Sequence, residues 1–241
     1  APRLISLLAE VLRRPSFPPA ELEKLREQVL GALVQEREDT HAAAYAALTR
    51  ALYPERHPLR RRPVDERERE LRSLTRDELA AFHAAAYGPA GMAVAVVGQV
   101  EAARAAALLE EAFAGWPAAT LVPPRWPEAP EPPPAEERIQ IADRPNLDVF
   151  LGHRGRLRRG DPDYAAAVLA NACLGQSTLT SRLGVAVRDT AGLSYGVASR
   201  FFGTLELAGP WAVALGVAAA DLERAVALCR SVIAAYVAEG P

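Results

Sequence analysis

Apolar side chains recur at helical spacing from the start of the chain. Leu4, Ile5, Leu8, Val11 and Leu12 share one face, and Pro15 ends the pattern. Within SFPPAELEKLREQVLGALVQERE, residues 16–38, it resumes after Pro18 and Pro19, with Leu22, Leu25, Val29, Leu30 and Leu33 along one stripe. THAAAYAALTRALY predicts a third helix, stopped by Pro54. TRDELAAFHAAAYGP predicts another, opened by a capping box of Thr75 with Glu78 and closed by Gly88-Pro89. GMAVAVVGQV, residues 91–100, is a short valine-rich run between glycines and predicts a buried strand; EAARAAALLEEAFAGW returns to helix.

The pattern then breaks. Residues 117–138, PAATLVPPRWPEAPEPPPAEER, are proline-dense and acidic, which predicts an extended, semi-rigid linker over residues 119–136. Beyond it RIQIAD and LDVFLGH read as strands, and PDYAAAVLANACLG as a helix. A short helix, TLTSRLGVAVRD, leads through a glycine turn into strand LSYGVASRFF. Strand GPWAVALGV and helix DLERAVALCRSVIAAYVAEG complete the chain. Helices and strands alternating on both sides of the linker predict an α+β protein of two units, with mixed or antiparallel sheets covered by helices.

Composition narrows the partners. The 241 residues are half hydrophobic, enough for a sizeable core, and the net charge is −2. Neither nucleic acid nor an anionic membrane surface is implied by so balanced a charge. RRRPVDERERELR mixes both signs and reads as a solvated helix face. No apolar stretch is long enough to span a bilayer, and no signal peptide is visible. Cys173 and Cys229 sit in apolar helical surroundings and read as two buried thiols. Both ends read as cut from a longer protein, since the chain opens without Met inside a helix and stops on VAEGP.

Most catalytic chemistry is missing. His41, His57, His83 and His153 include no pair four residues apart, and HExxH, HxxEH and CxxC do not occur. GxSxG, GxGxxG and P-loop patterns are absent too. What remains is RDTAGLSYG, residues 188–196. Arg188 ends a helix, Gly192 permits a sharp reversal, and Tyr195 begins a strand. Guanidinium and phenol are both donors, able to grip a carbonyl or carboxylate and an oxygen gaining negative charge. Neither activates water. The same residues also suit local duties, Arg188 at a helix C-terminus and Tyr195 as an ordinary strand residue.

DPDYAAAVLANACLGQSTLTSRLGVAVRDTAGLSYGVAS resembles the second domain of the pitrilysin/insulinase family of zinc metallopeptidases, which includes mitochondrial processing peptidase. The family's PDY-like start is followed by an N-x-x-LG turn (here Asn171, Leu174, Gly175), an SRL helix (Ser181, Arg182, Leu183), an arginine, a GL turn and a tyrosine. Arg188, Gly192, Leu193 and Tyr195 match that order. PSFPPAELEKLREQVLGALVQEREDT, LYPERHPLRRR and SLTRDELAAFHAAAYGPAGMAVAVVGQV are similar to the latter part of the family's first domain.

The resemblance implies the metalloenzyme fold of the processing-peptidase type in two partial domains. Residues 1–118 would be the C-terminal part of the first, residues 119–136 the linker, and residues 137–241 the N-terminal part of the second. Active members take a third zinc ligand from a glutamate in a stretch like REVVLEEI; here REQVLGAL puts Gly31 and Ala32 at those places. The implied cofactor count on this chain is therefore none, with zinc on a homologous partner subunit. Arg188 and Tyr195 would bind peptide substrate and stabilise the oxyanion for that partner. Two other readings compete: an assembly homologue with no proteolytic role, and a fragment of a self-sufficient peptidase whose zinc site lies upstream.

Overall fold

The structure, a computed structural model, describes residues 2–122, 126 and 130–240. The chain divides into two compact units, Ala1–Gly31 with Glu68–Arg125, and Ala32–Arg67 with Trp126–Pro241. The division falls inside two helices, α2 (Pro19–Glu38) and α4 (Val64–Ser73).

The first unit is helical among its described residues. Besides its parts of α2 and α4 it holds α1 (Pro2–Arg13), α5 (Arg76–Ala86) and α6 (Ala102–Phe113). Ile5 and Ala9 of α1 and Ala105 and Phe113 of α6 are buried, but Leu4, Leu8 and Val11 of the apolar face expected in α1 are exposed. Arg13 Nη1 donates to the Ala112 carbonyl at 2.7 Å, tying the end of α1 to α6. The Thr75–Glu78 capping box forms, with backbone and side chain satisfied reciprocally. His83 Nε2 meets the Leu12 carbonyl at 2.8 Å, which is a packing role.

One expectation fails in this unit. Residues 92–97 run without helix or strand, and Val94, Val96 and Val97 are 40%, 44% and 97% exposed. Periodicity identified a segment that favours extended backbone, but a strand exists only through a hydrogen-bonded neighbour. None pairs with it among the described residues. RIQIAD, in the second unit, stays unpaired for the same reason.

In the second unit, β1 (Asn146–His153), β2 (Ser194–Phe201) and β3 (Trp211–Ala218) form one antiparallel sheet in the order β1-β3-β2. Of the expected mixed or antiparallel sheets, the described residues form this one antiparallel sheet, and it lies wholly after the proline-dense segment. Val213, Leu215 and Val217 alternate along β3 onto one face. They meet Leu174, Leu183, Val187, Leu193 and Val197, together with Ala225, Cys229 and Tyr236 of α8 (Leu222–Glu239). On the opposite face Phe150 packs against His41 and Tyr45 of α3 (Thr40–Leu52). The charged helix α4 buries no residue, in keeping with its mixed run.

Helix α7 (Tyr164–Asn171) passes into a π-helical turn, Ala172–Gln176. There Cys173 is exposed, contrary to its apolar neighbourhood in sequence, whereas Cys229 is fully buried. Within this turn it is Leu174 and Gly175 that are buried, and Leu174 joins the core while its neighbour Cys173 stays at the surface. Pro123, Pro124, Arg125, Pro127, Glu128 and Ala129 of the expected linker lie outside the described residues, and Trp126 and residues 130–138 carry neither helix nor strand.

Candidate functional site

The stretch from Gly184 to Gly196 is built from two irregularities in sequence. Gly184–Thr190 is a second π-helix, with Arg188 in its last turn. Gly184 starts it in close quarters: a Cβ there would collide with the Thr178 backbone. The turn closes through Ala191 N donating to Ala186 O at 3.1 Å and Gly192 N to Arg188 O at 3.1 Å. Leu193 N then reaches Val187 O at 3.0 Å. Gly192, at φ +62°, takes the left-handed conformation that makes the reversal, and buried Leu193 anchors the chain in the core.

The second irregularity is in β2. Ser194 pairs with Val217 and Val197 with Leu215, so three steps on β2 face two on β3. This is a β-bulge, with one extra residue between Ser194 and Val197. Ser194 and Val197 stay buried on either side of it, while Tyr195 is 90% exposed. The Ser194 hydroxyl lies 2.7 Å from both the Gly196 and the Gly216 carbonyl oxygens and accepts the Gly196 N–H at 3.2 Å.

Together these features set the Arg188 guanidinium carbon 5.7 Å from the centre of the Tyr195 ring. Arg188 Nη1 also donates to Asp189 Oδ1 at 3.0 Å. Arg188, Asp189, Gly192, Ser194 and Tyr195 line an open cavity of about 480 Å³. A larger one, about 620 Å³, lies between α1 and α6, but its Arg13 is spent on the Ala112 carbonyl. The smaller cavity thus presents a cation, a phenol and one carboxylate at the surface. It can bind an oxygen-bearing group and donate to it; nothing in it is placed to generate a nucleophile.

Zinc does not fit the residues present. The described residues bring together no group of three or more His, Cys, Asp or Glu that could hold a metal. His57 Nδ1 accepts from Leu59 N at 3.2 Å, and burial, helped by the nearby charge of Arg154, lowers its pKa. His41 Nδ1 is 3.5 Å from Asp148 Oδ1, and His153 Nδ1 is 2.7 Å from the Arg154 carbonyl. Gly31 and Ala32 are both exposed on α2.

Sequence reasoning singled out Arg188, Gly192, Leu193 and Tyr195 but passed over Asp189 and Ser194. The short helix expected over TLTSRLGVAVRD is π-helical from Gly184 to Thr190. A glycine inside a strand pattern, Gly196, was the available signal for the bulge. The π turn left no comparable mark in the sequence.

Residues 73–241 match the family profile of the peptidase M16 inactive domain. An uncharacterized zinc protease of Mycobacterium tuberculosis H37Rv is 31% identical over 204 residues, 82% of this chain and 45% of that protein. One from Mycobacterium leprae is 30% identical over 205 residues, 81% of this chain and 43% of its own length. The chain therefore spans under half the length of these relatives. A crystal structure of a peptidase M16 inactive domain from Pseudomonas fluorescens superposes with a TM-score of 0.86 at 29% identity, covering 99% of this chain and 56% of that one. A Helicobacter pylori protease, at 19% identity and a TM-score of 0.71, shares the fold.

Proposed function

This chain belongs to the M16, or pitrilysin, family of zinc proteases through that family's inactive domain, and from that premise we propose a division of labour. The chain is a zinc-free part of a peptidase, and it lends Arg188 and Tyr195 to a homologous zinc-bearing partner that hydrolyses peptides. Residues 1–118 and 137–241 belong on this reading to two peptidase-like domains joined through residues 119–136. The observation that carries it is the pairing of an exposed phenol with a guanidinium, aimed by a bulge on one side and a π turn on the other.

Each side chain has a distinct task. The guanidinium offers a planar fork of donors, part of it held by Asp189, and grips a substrate carbonyl or terminal carboxylate before reaction. The phenol donates to the carbonyl oxygen as negative charge grows there, an interaction stronger in the transition state than in the ground state. No base acts from this side, so the water must be activated by the partner. Assembly without proteolysis is the competing role, and it gives Tyr195 no reason to be turned out of the sheet.

Reconstitution with the zinc-bearing chain tests this. Tyr195→Phe should leave assembly intact and lower kcat by roughly a hundredfold or more. Arg188→Ala should raise KM as well, and Arg188→Lys should rescue poorly because an ammonium lacks the planar fork. Variants that assemble and cleave at the parent rate would leave the pair an architectural feature. The mycobacterial relatives' description as zinc proteases supports a second reading, with zinc held elsewhere in the same polypeptide. Stoichiometric zinc in the longest natural form, without a partner, would select it.

A further inference from the structure

We propose that Ser194 is a positioning residue: its hydroxyl clamps the β2 bulge and thereby holds Tyr195 against Arg188. The inference builds on the reading that Tyr195 faces substrate, but concerns how the phenol is aimed rather than what it does.

A bulge interrupts the ladder and leaves backbone groups without their regular partners. Ser194 sits at its first residue, 7% exposed, where such groups cannot all turn to water. Its oxygen accepts the Gly196 N–H at 3.2 Å, which fixes the far side of the extra residue. Its single proton can serve only one of the two carbonyls at 2.7 Å at a time. Donated to Gly216 it ties the bulge to the central strand β3; donated to Gly196 it closes the bulge on itself. Either way the loop of backbone that carries Tyr195 is pinned from beneath.

Ladder pairs fix Ser194 and Val197 at the two ends of the bulge, and the Thr178 hydroxyl donates to the Val197 carbonyl at 3.2 Å, but these hold the flanks rather than the extra residue itself. A Cβ on Gly196 or Gly216 would meet nothing within 4 Å, so neither glycine is wedged in place. Tyr195, 90% exposed, is steadied at its ring by Arg188 alone among the described contacts. A cation and an aromatic face at 5.7 Å attract weakly at an exposed site, too weakly to set the backbone. Orientation must come from the bulge, and between its paired ends Ser194 is the side chain that bonds to the Gly196 backbone and reaches the Gly216 carbonyl.

The test reads orientation without catalysis. 3-Fluorotyrosine is placed at position 195 of the chain, and its ¹⁹F resonance is recorded with Arg188 intact and as Arg188→Gln. In the parent, removing the guanidinium should displace the resonance. In Ser194→Ala that displacement should shrink at least about threefold, because a freed ring no longer dwells over residue 188. Ser199→Ala, which removes another buried hydroxyl in the same strand, should lose stability yet keep the full displacement. If the alanine chain does not fold, Ser194→Cys fills the site with a larger atom and a weaker donor and gives the same comparison. An undiminished displacement in Ser194→Ala or Ser194→Cys overturns the clamp. So does a parent resonance indifferent to Arg188→Gln. If instead the displacements behave as expected while Tyr195→Phe leaves peptide hydrolysis unchanged, the clamp stands and the catalytic role falls.

Discussion

Asn171 shows how much one side chain can organise. Its Oδ1 accepts from both Ser199 Oγ and Trp211 Nε1 at 2.7 Å, and its Nδ2 donates to the Ser199 carbonyl at 2.9 Å. The amide thus joins the end of α7 to β2 and β3, with every polar atom in the group satisfied. Asn171→Ala would strand three buried or half-buried partners and cost about 3 kcal/mol, seen as a lower midpoint in thermal or urea unfolding. Asn171→Asp should cost no less, since a carboxylate cannot donate to the Ser199 carbonyl. At this scale the sequence was partly legible. Asn171 stood out only through family resemblance, because an asparagine ending a helix ordinarily reads as a cap. The convergence of Ser199 and Trp211 upon it depends on strand register, which no local pattern encodes.

Among elements, those with their own periodicity were readable, and those depending on a distant neighbour were not. The helices carry marks of their own in sequence, such as the capping box of α5 and the mixed charged run of α4, although Leu4, Leu8 and Val11 of the α1 stripe stay exposed. The valine run at residues 92–97 lacks the neighbour that would make it a strand. An ion-pair cluster offers a measurable junction between elements. Glu36 Oε1, near the end of α2, receives Arg67 of α4 at 2.7 Å and Arg61 at 2.9 Å. Burial alone would raise the Glu36 pKa, but the hydrogen bonds from Arg67 and Arg61 outweigh it and hold the group below its ordinary 4.5. A carboxylate depressed in the folded state stabilises above its unfolded pKa and loses that contribution as pH falls through the folded value. Glu36→Gln should therefore cost about 1–2 kcal/mol at neutral pH. The gap between parent and variant should close below pH 4.5, and urea titrations at several pH values would show it. A constant gap would mean the pair contributes through shape rather than charge.

For the molecule as a whole, α+β class and family were accessible from the sequence, since the RDTAGLSYG stretch lies inside the matched region of residues 73–241. The distribution of the sheet was not, because among the described residues every paired strand depends on β3 and lies in the second unit. The exposed valines of the first unit carry a consequence for the protein in a test tube. AVAVV, residues 93–97, has no charge and no proline, strong β propensity and an open backbone on the surface. Those are the properties of a segment that stacks with copies of itself into cross-β assemblies. The purified chain should gain thioflavin fluorescence and scatter light on standing, faster at higher concentration. Val96→Lys, a gatekeeping charge in the middle of the run, should slow this at least several-fold without lowering the thermal midpoint, because the side chain it replaces supports no packed core. Equal aggregation rates would place the weak point elsewhere. The stretch most eager to become a strand is thus also the one that sets the shelf life of the isolated chain.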